Sequence, residues 1–146
     1  MLWATRELPE PDLRSAVTWT WQPQGPADVT AMRLQLRESA RRAPVPAGLD
    51  DDDVERLLLA FEELASNGVR HGREPVEVRV VAAPGGWLID VTDAAVEEPP
   101  TPAVGRDPAA GGLGLYLIAR LAAAHGWAVR FDRKHVWACI RAAAPA

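Results

Sequence analysis

The sequence has one cysteine, Cys139, one lysine, Lys134, and no apolar run of membrane-spanning length. A single cysteine rules out an internal disulfide and makes a reducing cytoplasm the expected location. The longest apolar candidates are broken by Arg, Asp or Gly well short of the roughly 20 residues a span needs, so no membrane partner is expected. The opening residues, MLWATRELPEPDLR, lack the basic-then-apolar plan of a secretion signal. Lys134 does not follow the glycine pattern of a GxxxxGK[ST] loop, which excludes that phosphate site. Excess positive charge is also missing: a net charge of −4 and a pI near 5.4 give no broad footprint for nucleic acid. His71, His125, His135 and Cys139 are not spaced as metal ligands.

What is present is enough for one domain with a real core: 146 residues, 48% hydrophobic and 25% charged. The best-marked stretch is residues 54–72, VERLLLAFEELASNGVRHG. Val54, Leu57, Leu58, Phe61, Leu64, Ala65 and Gly68 recur at three- and four-residue steps, the apolar stripe of a helix that buries one face. The acidic tract Asp50 to Asp53 suits its positive end, and Gly72 is a plausible stop. Glu63 and Asn67, four apart, project together from another side. Either they are a solvated helix face, or they place a general base beside an amide oxygen able to ligate a hard cation.

Residues 1–14, with Pro9 and Pro11, read as an N-terminal arm or edge segment. Residues 15–22 alternate Val17, Trp19 and Trp21 against threonines and predict a half-buried strand. A helix is expected over about residues 27–42, with Val29, Met32, Leu34, Leu36 and Ala40 as apolar positions and an arginine-rich tail. Residues 75–82 and 87–93 predict a hairpin turned by Pro84-Gly85-Gly86. Trp87, Ile89, Val91 and Asp93 share parity, so Asp93 leaves the strand on its core face and needs a partner there. That partner is either the next turn or the amino group of a ligand.

Residues 94–112 have no periodicity and form a long loop, the kind used as a lid or binding segment. Gly111, Gly112 and Gly114 then open a helix carrying Leu115, Leu117, Ile118 and Leu121, and free N–H groups at such a start can receive an anion. Two further strands close the chain, the first alternating Trp127, Val129 and Phe131, with a turn near Asp132-Arg133 and the second over His135–Arg141; residues 143–146 read as a frayed tail. Locally paired strands with helices collected on one face predict an α+β two-layer sandwich over residues 15–142.

Glu63, Asn67, His71 and Gly72 in ELASNGVRHG resemble the N-box of the GHKL (Bergerat-fold) ATP-binding superfamily. Asp93 matches the acidic residue of its G1 box, and GGLGL at 111–115 matches its G2 box. The closing hairpin is similar to that of the stand-alone anti-sigma-factor serine/threonine kinases. The resemblance implies a histidine kinase-like ATPase fold, with a mixed, mostly antiparallel sheet, and a site for ATP and Mg²⁺. Glu63 would be the catalytic base, and Asn67 the metal ligand. Asp93 would accept from the adenine amine, His71 would end the helix near the phosphates, and Gly111, Gly112, Gly114 and Leu115 would lie beside them. Implied partners are a STAS-domain anti-anti-sigma protein and a sigma factor. Relatives of this kind often dimerise, and a homodimer is an open expectation here. The alternative is a non-catalytic, sigma-sequestering scaffold with a weak or lapsed ATP site. It is favoured by Asp93-Ala94-Ala95-Val96-Glu97, which lacks both glycines of the usual DxGxG; the proline-rich lid, and His135 beside the adenine pocket where relatives often carry Thr, are further departures expected to weaken ATP affinity.

Overall fold

The computed structural model describes residues 3–10, 17–42, 50–100 and 113–141. Gly111 and Gly112, the far part of the expected lid and the C-terminal tail lie outside these residues. The described elements run β1 (Val17–Trp21), α1 (Pro26–Arg42), α2 (Asp51–His71), β2 (Glu77–Ala83), β3 (Gly86–Asp93), α3 (Leu113–Leu121), β4 (Ala124–Arg130) and β5 (Arg133–Arg141). The five strands form one sheet in the order β1-β2-β3-β5-β4, and every pair of neighbours is antiparallel. This is the α+β layer arrangement that local strand pairing predicts.

Helix α2 is held at both ends by its own sequence. The Asp50 side chain accepts from Asp53 N at 3.0 Å, and the Asp53 carboxylate accepts from Asp50 N at 2.9 Å, a reciprocal cap in which two acidic residues satisfy two orphan donors. Arg56 bonds the buried Asp53 carboxylate and reaches the Arg141 carbonyl, so the cap is tied to the last strand. At the other end Gly72 N returns to Gly68 O at 2.8 Å. Between these ends Val54, Leu57, Leu58, Phe61, Leu64, Ala65 and Gly68 are all buried, the stripe the spacing predicts. Ala60 joins them.

That stripe packs on the face of the sheet presented by Val78, Val80, Ile89, Val91, Val136, Ala138 and Ile140. Trp21 of β1 meets Phe61 edge-on with ring centroids 5.3 Å apart. In α1, Val29, Leu36 and Ala40 are buried and Met32 packs against the core, whereas Leu34 is 59% exposed. Leu34 sits two residues from both Met32 and Leu36, off their helical face, so of the five apolar positions it is the one that does not join the core.

The opposite face of the sheet has its own small core of Val81, Leu88 and Trp137, covered by Leu8. Residues 3–10 reach it along the β4 edge: Arg6 N bonds Trp127 O at 2.9 Å, and Trp127 N bonds Ala4 O at 3.2 Å. Trp137 Nε1 donates to Arg6 O at 3.0 Å, and Trp3 is buried beside the His125 ring, with centroids 4.7 Å apart. Proline and charge mark this segment as peripheral in the sequence; Trp3 and Leu8 are the residues that dock it. In the last hairpin the turn is Phe131-Asp132, both at positive φ, one residue earlier than expected. Phe131 is therefore a turn residue, 90% exposed, and Val129 is also exposed, so the alternation Trp127, Val129, Phe131 marks a core face only at Trp127.

Candidate functional site

Helix α2 ends against the C-terminal end of β3, and the chain there has no room to spare. A Cβ on Gly72 would stand 2.8 Å from the Asp93 carboxyl, so glycine is what lets the helix end and the carboxylate meet. The φ of Gly72 is −78°, so space rather than backbone freedom is the requirement. Asp93 is 1% exposed. Its Oδ1 accepts from Ala95 N at 2.7 Å and from Arg73 N at 3.4 Å, which folds residues 94 and 95 back over it.

Its Oδ2 faces Lys134 Nζ at 3.4 Å. The two are direct cross-strand partners in the β3–β5 register, so the pair follows from strand pairing. Lys134 is itself 5% exposed and donates to the Glu98 carbonyl at 2.8 Å, pinning the segment that follows β3. A buried charge pair of this kind persists where further hydrogen bonds support both members, here the Glu98 carbonyl for Lys134 and the Ala95 and Arg73 amides for Asp93.

These groups line a cavity of about 200 Å³. Leu64, Val91 and Val136 give it apolar walls, Asp93 and Lys134 its charges, and Glu98 to Pro100 a cover. Asn67 and His71 form its side toward α3. The same two residues also line a narrow cleft with Glu63, Ser66, Arg70, Gly114 and Leu115. Two spaces thus share one wall, with Asp93 at one end and Glu63 at the other.

Glu63 is half-buried against the start of α3, and a Cβ on Gly114 would overlap its carboxylate. Removal from water pushes the Glu63 carboxyl above its ordinary value, with Glu62 adding to the effect and Arg70 opposing it. A carboxylate of raised basicity is a better proton acceptor than an exposed one. Glu63 lies beside the first turn of α3, whose positive end favours an anion and so works against the rise caused by burial.

A family model for the histidine kinase-like ATPase domain matches residues 23–140. The chain belongs to that family. No curated protein matches the chain. Membership in the histidine kinase-like ATPase family implies ATP binding, and the two spaces along α2 are the candidate site for it. Among the described residues no cluster of three or more His, Cys, Asp or Glu side chains could hold a metal. A cation here would rest on the Asn67 amide oxygen, with water and phosphate oxygens completing its shell. That donor set suits Mg²⁺, which keeps much of its hydration.

The structure brings together Glu63, Asn67, His71, Asp93, Gly114 and Leu115 of the expected site, and Gly111 and Gly112 lie outside the described residues. His135 needs correction. Its neighbours in β5, Lys134 and Val136, face the pocket, so His135 points through the sheet to the other side. There its Nδ1 lies 3.0 Å from Asp90, which also meets Arg79 at 3.4 Å. The residue in the pocket is Lys134, which the sequence reading passed over. Its parity with Val136 and its place opposite Asp93 were the signals that identify it.

Proposed function

We propose that this chain is an ATP-binding regulatory protein of the anti-sigma-factor serine/threonine kinase type, acting on the hydroxyl of a STAS-domain partner. The observation that carries the reading is the shared wall of Asn67 and His71 between the Asp93 cavity and the Glu63 cleft. A nucleotide laid along it would have its base near Asp93 and Val91 and its phosphates toward Gly114. Mg-ATP, when bound, supplies the phosphoryl group and the cation that offsets its charge. Asn67 is the residue to hold the cation, and Asp93 the one to hold the base amine. Glu63, whose carboxyl is already made more basic by burial, takes the proton of the incoming hydroxyl.

Calorimetric titration of Mg-ATP into the wild type and Asn67→Ala tests the nucleotide step. Binding that needs Mg²⁺ and weakens on substitution is expected; phosphotransfer to candidate STAS proteins, with Glu63→Ala as the dead control, tests the kinase step. Absence of binding at millimolar nucleotide sinks the kinase reading. A second reading, a partner-sequestering scaffold with a lapsed site, draws on the Lys134–Asp93 pair, which engages the carboxylate that the base amine would use.

A further inference from the structure

The Asp93–Lys134 pair has hydrogen-bonding capacity left over. A lysine ammonium carries three donors, and a carboxylate oxygen accepts about two bonds. Among the described residues, Lys134 Nζ meets two acceptors, Glu98 O and Asp93 Oδ2, which leaves one N–H. Asp93 Oδ1 is taken by two backbone donors, and Oδ2 has only Lys134. One donor and one acceptor therefore stand side by side at 3.4 Å on the wall of a cavity whose other sides include Leu64, Val91 and Val136. Both charges are almost wholly removed from water, so a ligand gains from them without competing against solvent.

We infer that Lys134 reads the base directly: its free N–H donates to the ring nitrogen adjacent to the amine that Asp93 accepts. The ligand chemistry this selects is an amidine edge, an exocyclic amine next to an unprotonated ring nitrogen, on a flat ring narrow enough for the apolar walls. Adenine has that edge. This rests on the nucleotide reading above and adds a residue to it. The ion pair stays intact on binding, since neither partner gives up the other to meet the base.

The test compares ATP with 1-deaza-ATP, which keeps the amine and lacks the ring nitrogen acceptor, in wild type, Lys134→Met and Lys134→Gln, with Mg²⁺ throughout. Wild type is expected to bind 1-deaza-ATP more weakly by about 10- to 100-fold, the range for a lost hydrogen bond from a charged donor. Lys134→Met should bind the two nucleotides equally. Lys134→Gln, which keeps an N–H, should retain part of the preference. Equal binding of ATP and 1-deaza-ATP by the wild type overturns the inference and leaves ATP binding standing. Tighter ATP binding by Lys134→Met also overturns it, making Lys134 a competitor for Asp93. Failure of the wild type to bind ATP at all removes the nucleotide reading and the inference with it. The wild-type comparison alone decides against the inference even if the methionine variant does not fold.

Discussion

The contact between Glu63 and Gly114 allows function to be separated from stability by one methyl group. In Gly114→Ala the three atoms nearest the new Cβ all belong to Glu63, its carboxylate first and then Cγ at 2.8 Å. The far end of a flexible side chain moves readily, so the carboxylate swings out of the cleft. Forcing it off its rotamer costs about 0.5–1.5 kcal/mol, and alanine in place of glycine in a helix returns up to about 1 kcal/mol. The two nearly cancel, and denaturant unfolding should show a change within about 1 kcal/mol in either direction, by this propensity and rotamer arithmetic. Phosphotransfer should behave otherwise. Displacing the proton acceptor by an ångström or more costs on the order of 100-fold. The same substitution in a Glu63→Ala background, where nothing occupies the cleft, should stabilise slightly. A loss of about 2 kcal/mol or more in both backgrounds, well beyond the rotamer cost, would refute the reasoning by showing that the backbone at Gly114 is what needs the space. So would unchanged turnover in Gly114→Ala.

Because desolvation raises the Glu63 carboxyl, the folded state holds that proton more tightly than the unfolded chain. Its contribution to stability is therefore favourable below the ordinary carboxylate range and is lost as pH rises through the folded value. Glu63→Gln should be more stable than wild type at neutral pH, with the difference closing in acid, measured by unfolding at a series of pH values. The acid limb of the phosphotransfer rate should lie above the ordinary glutamate range. For His125, burial first and Arg6 second lower the ring's affinity for a proton. Its contribution is present above the ordinary imidazole value and lost as pH falls through the depressed one, so His125→Phe should flatten the loss of stability in mild acid. Phe61 is fully buried and meets Trp21 edge-on, so Phe61→Ala should lower unfolding free energy by about 3–5 kcal/mol. Cys139, its thiol pushed up by burial, should alkylate slowly at neutral pH in the native protein and rapidly once unfolded.

The parts of this fold that were legible in the sequence are those in which one face of an element decides its pattern. In α2 every residue of the apolar stripe is buried, and in β3 the parity of Trp87, Ile89, Val91 and Asp93 places Asp93 on the core side. Pattern fails where burial comes from a distant segment. Leu8 is a core residue because the sheet's second face needs covering, and Trp3 because it reaches the main core from the sheet's border; nothing within residues 3–10 encodes either contact. It fails too where one residue of register reverses the outcome: Lys134 and His135 are adjacent, and parity with Val136 together with the pairing of Asp93 with Lys134 tells which enters the pocket. The chemistry of Glu63 and Asn67 lies between these cases. Helical spacing put them on one side, but that this side borders a cleft depended on α3 packing across it.

The docking of residues 4–6 also bears on how this sheet can meet other chains. A border strand exposes a row of unspent N–H and C=O groups that can template a further strand. At Trp127, in the middle of β4, both outward groups are already spent on Ala4 and Arg6. The row is interrupted there. Strand β1, at the opposite border, has no such strap among the described residues, and its exposed Val17, Thr18 and Thr20 lie along it. Among the described residues, β1 is thus the border more open to a neighbour's backbone, and removing residues 3–10 would free the two outward groups of Trp127.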